Sequence, residues 1–312
     1  MLLNQMIKFW LKDTTRELNI SNLRLTEWPE QLIGKENLIK ELDCSRNKLT
    51  SLPNGLTKLE KLDCSYNQLT SLPNDLREVH SWPELNRLNC RNNELTSLPN
   101  NLTKLERLDC SYNQLISLPN DLNKVQGRLS SLKKVSGRLS SWSDNSHLWP
   151  NLKMLICYKN QLTSLPNGLT KLERLDCYEN NLVSLPNDFT NLKILNCSEN
   201  KLTSIPNGLT NLEKLYCYHN ELRSLPNGLT KLNKLVCFNN KLFSNELKKW
   251  KKIWLISIRH QRILRNAGLK KVIKILKSRL YLPRLNELRE ELIWSPNHHG
   301  KFFKSLPRYG NW

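Results

Sequence analysis

No stretch of this 312-residue chain approaches the roughly 18 consecutive apolar residues that a membrane-spanning helix requires. A secretory leader is not expected either. The opening MLLNQMIKFWLKD carries Lys8 inside its apolar stretch and has no small-residue cleavage site. Residues 1–15 therefore read as an amphipathic capping segment, and the expected location is intracellular, in cytoplasm or nucleus. There is no C-x-x-C pair, no glycine-rich phosphate loop, no metal-binding motif and no hydrolase elbow. The expectation is a non-enzyme without cofactor, and no catalytic or metal-ligating residue is assigned. At 38% apolar and 24% charged residues, the chain is too apolar for disorder and too polar for a membrane protein.

What is there is a strong basic excess, +20 overall. Residues 242–312 hold 17 Lys and Arg against 4 Asp and Glu, a net of +13, while residues 1–241 account for +7. Such a segment favours anionic partners: nucleic acid, anionic lipid or an acidic protein.

The dominant feature is internal repetition. Units such as LTSLPNGLTKLEKLDCSYNQ start at Leu49, Leu69, Leu95, Leu115, Leu162, Leu182, Leu202, Leu222 and Leu242. Most steps are 20 residues, and two are longer, 26 and 47, which marks insertions near 77–82 and 123–149. Every unit carries L-x-C-x-x-N-x-L. All nine cysteines occupy one slot, Cys44, Cys64, Cys90, Cys110, Cys157, Cys177, Cys197, Cys217 and Cys237. The unit asparagines occupy another, Asn47, Asn67, Asn93, Asn113, Asn160, Asn180, Asn200, Asn220 and Asn240. A degenerate first unit has Leu18, Ile20, Leu23 and Leu25, with Ile20 in the cysteine slot and Leu23 in the asparagine slot.

In L-x-C the apolar residues alternate with polar ones, which predicts a short strand with one inward face. Stacked units then form a parallel sheet. Asparagine both donates and accepts, so it can satisfy the backbone as the chain turns away. Pro in S-L-P-N fixes an extended return path, and Leu52, Leu56 and Leu59 fill its inner side. These units resemble the leucine-rich-repeat family, in its short 20-residue subclass found in bacterial effectors, over residues 16–243. The resemblance implies an α/β repeat fold: a right-handed, curved solenoid with a parallel sheet on its concave face and an irregular, polyproline-like convex side. It also implies that the concave face binds protein. Effector-type units carry two Leu-Pro pairs, whereas this chain has one, as in Leu72-Pro73. An effector origin and a ligase activity are therefore not transferred.

Adjacent slot cysteines lie about 4.8 Å apart with side chains pointing the same way, whereas a disulfide needs converging Cβ vectors. They read as small buried hydrophobes kept reduced. Residues flanking them point outward. Early rungs carry Asp43, Asp63 and Asp109, read as a solvated face or a lure for a basic ligand. Later rungs carry Tyr158, Tyr178, Tyr216, Tyr218 and Phe238, with His219 nearby. These six form the candidate partner-binding patch, read as continuous; the competing reading packs them beneath the C-terminal segment, Phe238 first.

That segment, 244–312, is expected to be helical and basic, with Ser244 capping its first helix and Trp250 and Trp254 on the apolar face. Lys270, Lys271, Lys274 and Lys277 are candidate anion-binding residues for an alternative function, nucleic-acid or anionic-membrane binding, or simply a solvated face. The final ELIWSPNHHGKFFKSLPRYGNW resembles tails of repeat proteins of large DNA viruses, which would place the protein in a host cell. The longer insertion, with Gly127-Arg128-Leu129-Ser130-Ser131 repeated ten residues on, reads as a flexible loop.

Overall fold

A computed structural model describes residues 2–73, 82–100, 102–119 and 149–254. The expectations for both insertions, the four lysines 270–277 and the final tail lie outside these residues.

Helix α1 (Leu2–Trp10) opens the chain, with Ile7 and Trp10 buried against the first rung. Ten short strands follow: β1 (Leu18–Asn19), β2 (Glu41–Asp43), β3 (Lys61–Asp63), β4 (Arg87–Asn89), β5 (Arg107–Asp109), β6 (Met154–Ile156), β7 (Arg174–Asp176), β8 (Ile194–Asn196), β9 (Lys214–Tyr216) and β10 (Lys234–Val236). All pair in parallel, in chain order, as one ten-stranded sheet. Register follows the repeat: Leu42 faces Leu62, which faces Leu88, and so on. The long insertion does not interrupt it, since Leu108 of β5 pairs with Leu155 of β6. The array is a solenoid with this sheet on its concave side.

The core is a column of leucines closed by the cysteines, eight of which are fully shielded from solvent and the ninth, Cys237, nearly so. Trp82 and Trp149 stand where other units have Leu56 or Leu102, at the ends of the two insertions, and are equally buried. At the far end Ser244 Oγ accepts from Glu246 N at 3.0 Å, ahead of a helix over residues 247–254. Trp250 and Trp254 of that helix are buried, and Trp250 Nε1 donates to Ser244 O at 2.8 Å. Together they close the core that the last rung would otherwise expose.

What binds rung to rung is the asparagine. Asn113 Nδ2 donates to Cys90 O at 3.0 Å and to Cys110 O at 3.1 Å, while its Oδ1 accepts from Leu95 N at 3.0 Å. One side chain thus clamps its own turn and the preceding one. Asn160 does the same across the 47-residue step, reaching Cys110 O at 2.9 Å and Leu115 N at 3.0 Å. Leu23 cannot play this part in the degenerate unit, so Asn47 serves both Leu23 N and Leu25 N, each at 3.0 Å.

The turn that brings each asparagine inward passes through a left-handed residue. Arg46, Tyr66, Asn92, Tyr112, Lys159, Glu179, Glu199, His219 and Asn239 all have φ between 50° and 55°. A left-handed non-glycine residue costs roughly 1–2 kcal/mol. The asparagine bonds of the same turn offset that cost, and the gain is a large side chain aimed along the face.

All nine thiols are free and buried, as the repeat pattern implies. Burial pushes the Cys237 thiol up to about 11 and Cys197 to about 12, and holds the others well above the ordinary value. A raised thiol pKa stabilises the fold below the unfolded value and loses that contribution as pH rises through the folded one. Each thiol should then withdraw about 1.4 kcal/mol per pH unit above the unfolded value, near pH 8.5. Urea midpoints should stay level below pH 8 and fall steeply from pH 9 to 11, with native thiols unreactive to maleimide at pH 7.5. Asn113→Ala should cost about 3 kcal/mol, since it strands three backbone groups. Rapid native labelling of several thiols, or a level alkaline profile, would refute this account of the core.

Candidate binding face

Four side-chain columns cross the concave sheet, each set by its offset from the cysteine. The column three positions before the cysteine is basic: Lys61, Arg87, Arg107, Arg174, Lys214 and Lys234. Sequence reading centred on the cysteine's immediate neighbours missed it, although the recurring K-L-D, R-L-N and R-L-D triplets carry the signal. Two of these six charges are met locally. Lys61 Nζ lies 2.6 Å from Glu41 Oε1, and Arg174 Nη2 lies 2.7 Å from Asp176 Oδ2.

The next column holds Asp43, Asp63, Asp109 and Asp176. These are not an idle solvated face. Asp63 Oδ1 accepts from Ser65 N at 3.0 Å and from Ser65 Oγ at 2.6 Å, and its Oδ2 accepts from Asn89 Nδ2 at 2.8 Å. Asp43 and Asp109 take the same bond from Ser45 N and Ser111 N. The acids brace the turn that leaves each strand.

All the aromatic residues but Tyr216 occupy the third and fourth columns, and they do not form the continuous patch expected from sequence. They fall into two groups. In the first, Tyr158 stacks on Tyr178 with centroids 4.2 Å apart and planes 13° from parallel. Tyr112 meets Tyr158 edge-on at 5.4 Å. The Arg91 guanidinium sits 4.8 Å from the Tyr112 ring centre, 5.4 Å from Tyr158 and 5.8 Å from Tyr66, and its Nη1 donates to the Tyr158 hydroxyl. In the second, Tyr218 stacks on Phe238 at 4.9 Å, with His219 edge-on to both. Asn239 Nδ2 approaches His219 Nε2 at 2.9 Å.

Between the groups the rung of Cys197 offers only Asn196, the buried Ser198 and Glu199, and the aromatic row is broken there. Tyr216 stands in the second column, under Lys234 Nζ at 5.2 Å. Phe238 is 42% exposed; the helix over 247–254 closes the core without covering it. Tyr66, Tyr112 and Arg91 were absent from the sequence-level candidates, because the left-handed position that presents the two tyrosines has no glycine to betray it. Burial, followed by the neighbouring Tyr158, pushes the Tyr178 hydroxyl well above its ordinary pKa, so it stays a neutral donor.

A family model for leucine-rich repeats in two copies matches residues 37–78 and 190–227, and one for a single leucine-rich repeat matches 104–125 and 171–192. The chain carries leucine-rich repeats. Among solved structures, this leucine-rich-repeat chain is similar to a leucine-rich-repeat protein of Leptospira interrogans (26% identity over 78% of this chain and 60% of that one, TM-score 0.60). It is also similar to the effector YopM of Yersinia pestis (25% identity, 78% and 60%, TM-score 0.58). A third likeness is to the functional domain of InlJ from Listeria monocytogenes, described as including a cysteine ladder (29% identity, 74% and 50%, TM-score 0.52). The chain thus spans about 60% of the length of the first two and half of the third. Among curated proteins none matches the sequence.

Because Asp63 anchors three donors, Asp63→Ala should lower stability by about 1–2 kcal/mol in urea titration. Asp63→Asn, which keeps an acceptor, should lose less. Equal stability of all three proteins would show the acids to be mere surface charge.

Proposed function

We propose that this array is a non-catalytic interaction module, working in a reducing intracellular compartment, that binds a protein partner on its concave face. Two stacked aromatic pairs, Tyr158–Tyr178 and Tyr218–Phe238, stand on that face, which is the observation carrying the reading. Stacking fixes the rings before a partner arrives, so little side-chain entropy is lost on binding. Tyrosine adds a polar tip to its apolar area. His219 flanks the second pair, and Tyr216 extends it toward the sheet's basic column. The family supports the same use, since leucine-rich repeats are scaffolds for protein contacts.

The two groups, separated by the rung of Cys197, suit a partner long enough to touch both. Tyr178→Ala and Tyr218→Ala should each weaken binding about thirtyfold, equivalent to roughly 2 kcal/mol, with unfolding midpoints little changed. Asp63→Ala should leave affinity nearly unchanged. The measurement is affinity capture from nuclease-treated lysate, identification of the partner, and titration of the purified pair. Normal binding by both tyrosine variants would reject the aromatic pairs as anchors. A partner lost on nuclease treatment, or on replacing Lys270, Lys271, Lys274 and Lys277 with Gln, would transfer binding to the basic C-terminal segment.

A further inference from the structure

The first aromatic group extends into a row that crosses six rungs. Arg46 lies 5.2 Å from the Tyr66 ring centre, and Arg91 covers the same ring from the next rung at 5.8 Å. Arg91 then faces Tyr112 and Tyr158, Lys159 Nζ sits 4.8 Å from Tyr112, and Tyr158 stacks on Tyr178. Cations and rings alternate from β2 to β7.

The manner in which these cations are held sets them apart. Lys61, Arg174 and Lys159 each meet a carboxylate, Lys159 through Glu179 at 3.5 Å. Among the described residues, Arg46 and Arg91 form no ion pair, and Arg91 Nε is buried without a hydrogen-bond partner. Tyrosine faces position a guanidinium without cancelling its charge. Both guanidiniums are thus held against rings with no carboxylate in ion-pair contact, Asp109 acting on Arg91 only from farther away, and each keeps a charge that an anion can meet.

Taking as given that the concave face binds protein, we propose that this row is the docking site for an acidic, extended segment of the partner, with carboxylates three residues apart seated on Arg46 and Arg91. The spacing follows from geometry. Arg46 and Arg91 belong to rungs two steps apart, about 10 Å at the usual strand separation. A polyproline-type segment rises about 3.1 Å per residue with three residues per turn, so positions i and i+3 fall on one side, about 9 Å apart. Tyr66 lies between the two arginines and packs against the intervening residues, and Tyr158 and Tyr178 receive apolar residues farther along. Asp43, Asp63 and Asp109 run beside the row. They repel a continuous phosphate backbone but tolerate a peptide that carries charge only at intervals and offers amide donors between.

The test uses the full-length protein and a fluorescein-labelled peptide of four Glu-Pro-Pro triplets, read by anisotropy. Controls are the Gln-Pro-Pro analogue and a twelve-nucleotide oligothymidine. The glutamate peptide should bind at least about tenfold more tightly than the glutamine peptide, and its affinity should fall with salt. Arg46→Asn, chosen because asparagine accepts a left-handed backbone, and Arg91→Gln should each weaken it about tenfold. Arg91→Lys should retain part of the affinity, and circular dichroism melting should confirm folding. Equal affinity for both peptides, binding insensitive to both arginine variants but lost with Lys270, Lys271, Lys274 and Lys277 changed to Gln, or tighter oligothymidine binding through the same arginines would each overturn the proposal. If the peptide fails while Tyr178→Ala still releases the captured partner, the acidic-segment assignment falls and the concave-face reading stands.

Discussion

Everything in this array hangs on one side chain per turn. The asparagine that clamps Cys110 O, Cys90 O and Leu95 N satisfies backbone groups that the tight turn leaves without strand partners. Backbone groups buried without partners would each cost about 1–3 kcal/mol, which no short three-residue strand could offset alone. The clamp also explains the cysteine. The strand's last inward residue must be small and apolar, because the neighbouring asparagine needs the carbonyl beside it. The left-handed residue between them is the conformational cost of bringing the amide inward.

That same turn determines what the face can display. With the asparagine inside, the two residues before it are turned outward and along the array, one in extended and one in left-handed geometry. Their side chains lean across the rung boundary, so Arg91 can touch rings from three other rungs. The aspartates just before the cysteine are occupied in bracing the turn. Surface chemistry is thereby partitioned: the aspartates of these turns serve the fold, while Arg91 and the tyrosines around it stand on the face without bracing a turn.

The architecture was legible because each turn states the same chemistry again. Nine cysteines and nine asparagines in register imply a stacked sheet with an internal polar ladder, and the bonds of Asn67 or Asn113 are the ones that chemistry requires. The site was less legible because its contacts lie between units. Ser198 stands between Tyr178 and Tyr218 in the column of aligned repeats, so that break was legible, whereas the stacking within each pair was not. Tyr66 and Tyr112 escaped notice because a left-handed tyrosine has no signature of its own; only the asparagine following it gives the turn away. Trp82-Pro83 and Trp149-Pro150 each close an insertion, and in the structure both tryptophans fill the slot of Leu56.

The uninterrupted pairing of β5 with β6 has a consequence for how length is measured in this protein. Closing a longer loop costs only about 0.6 kcal/mol for each doubling of its length, so chain can be added on the return path at little expense. Along the face, by contrast, distance advances only in whole strand spacings. The sheet is a ruler graduated in rungs and blind to residue number. Two recognition residues stay a fixed distance apart however much chain is spliced in behind them, whereas gaining or losing a single unit moves them out of step at once.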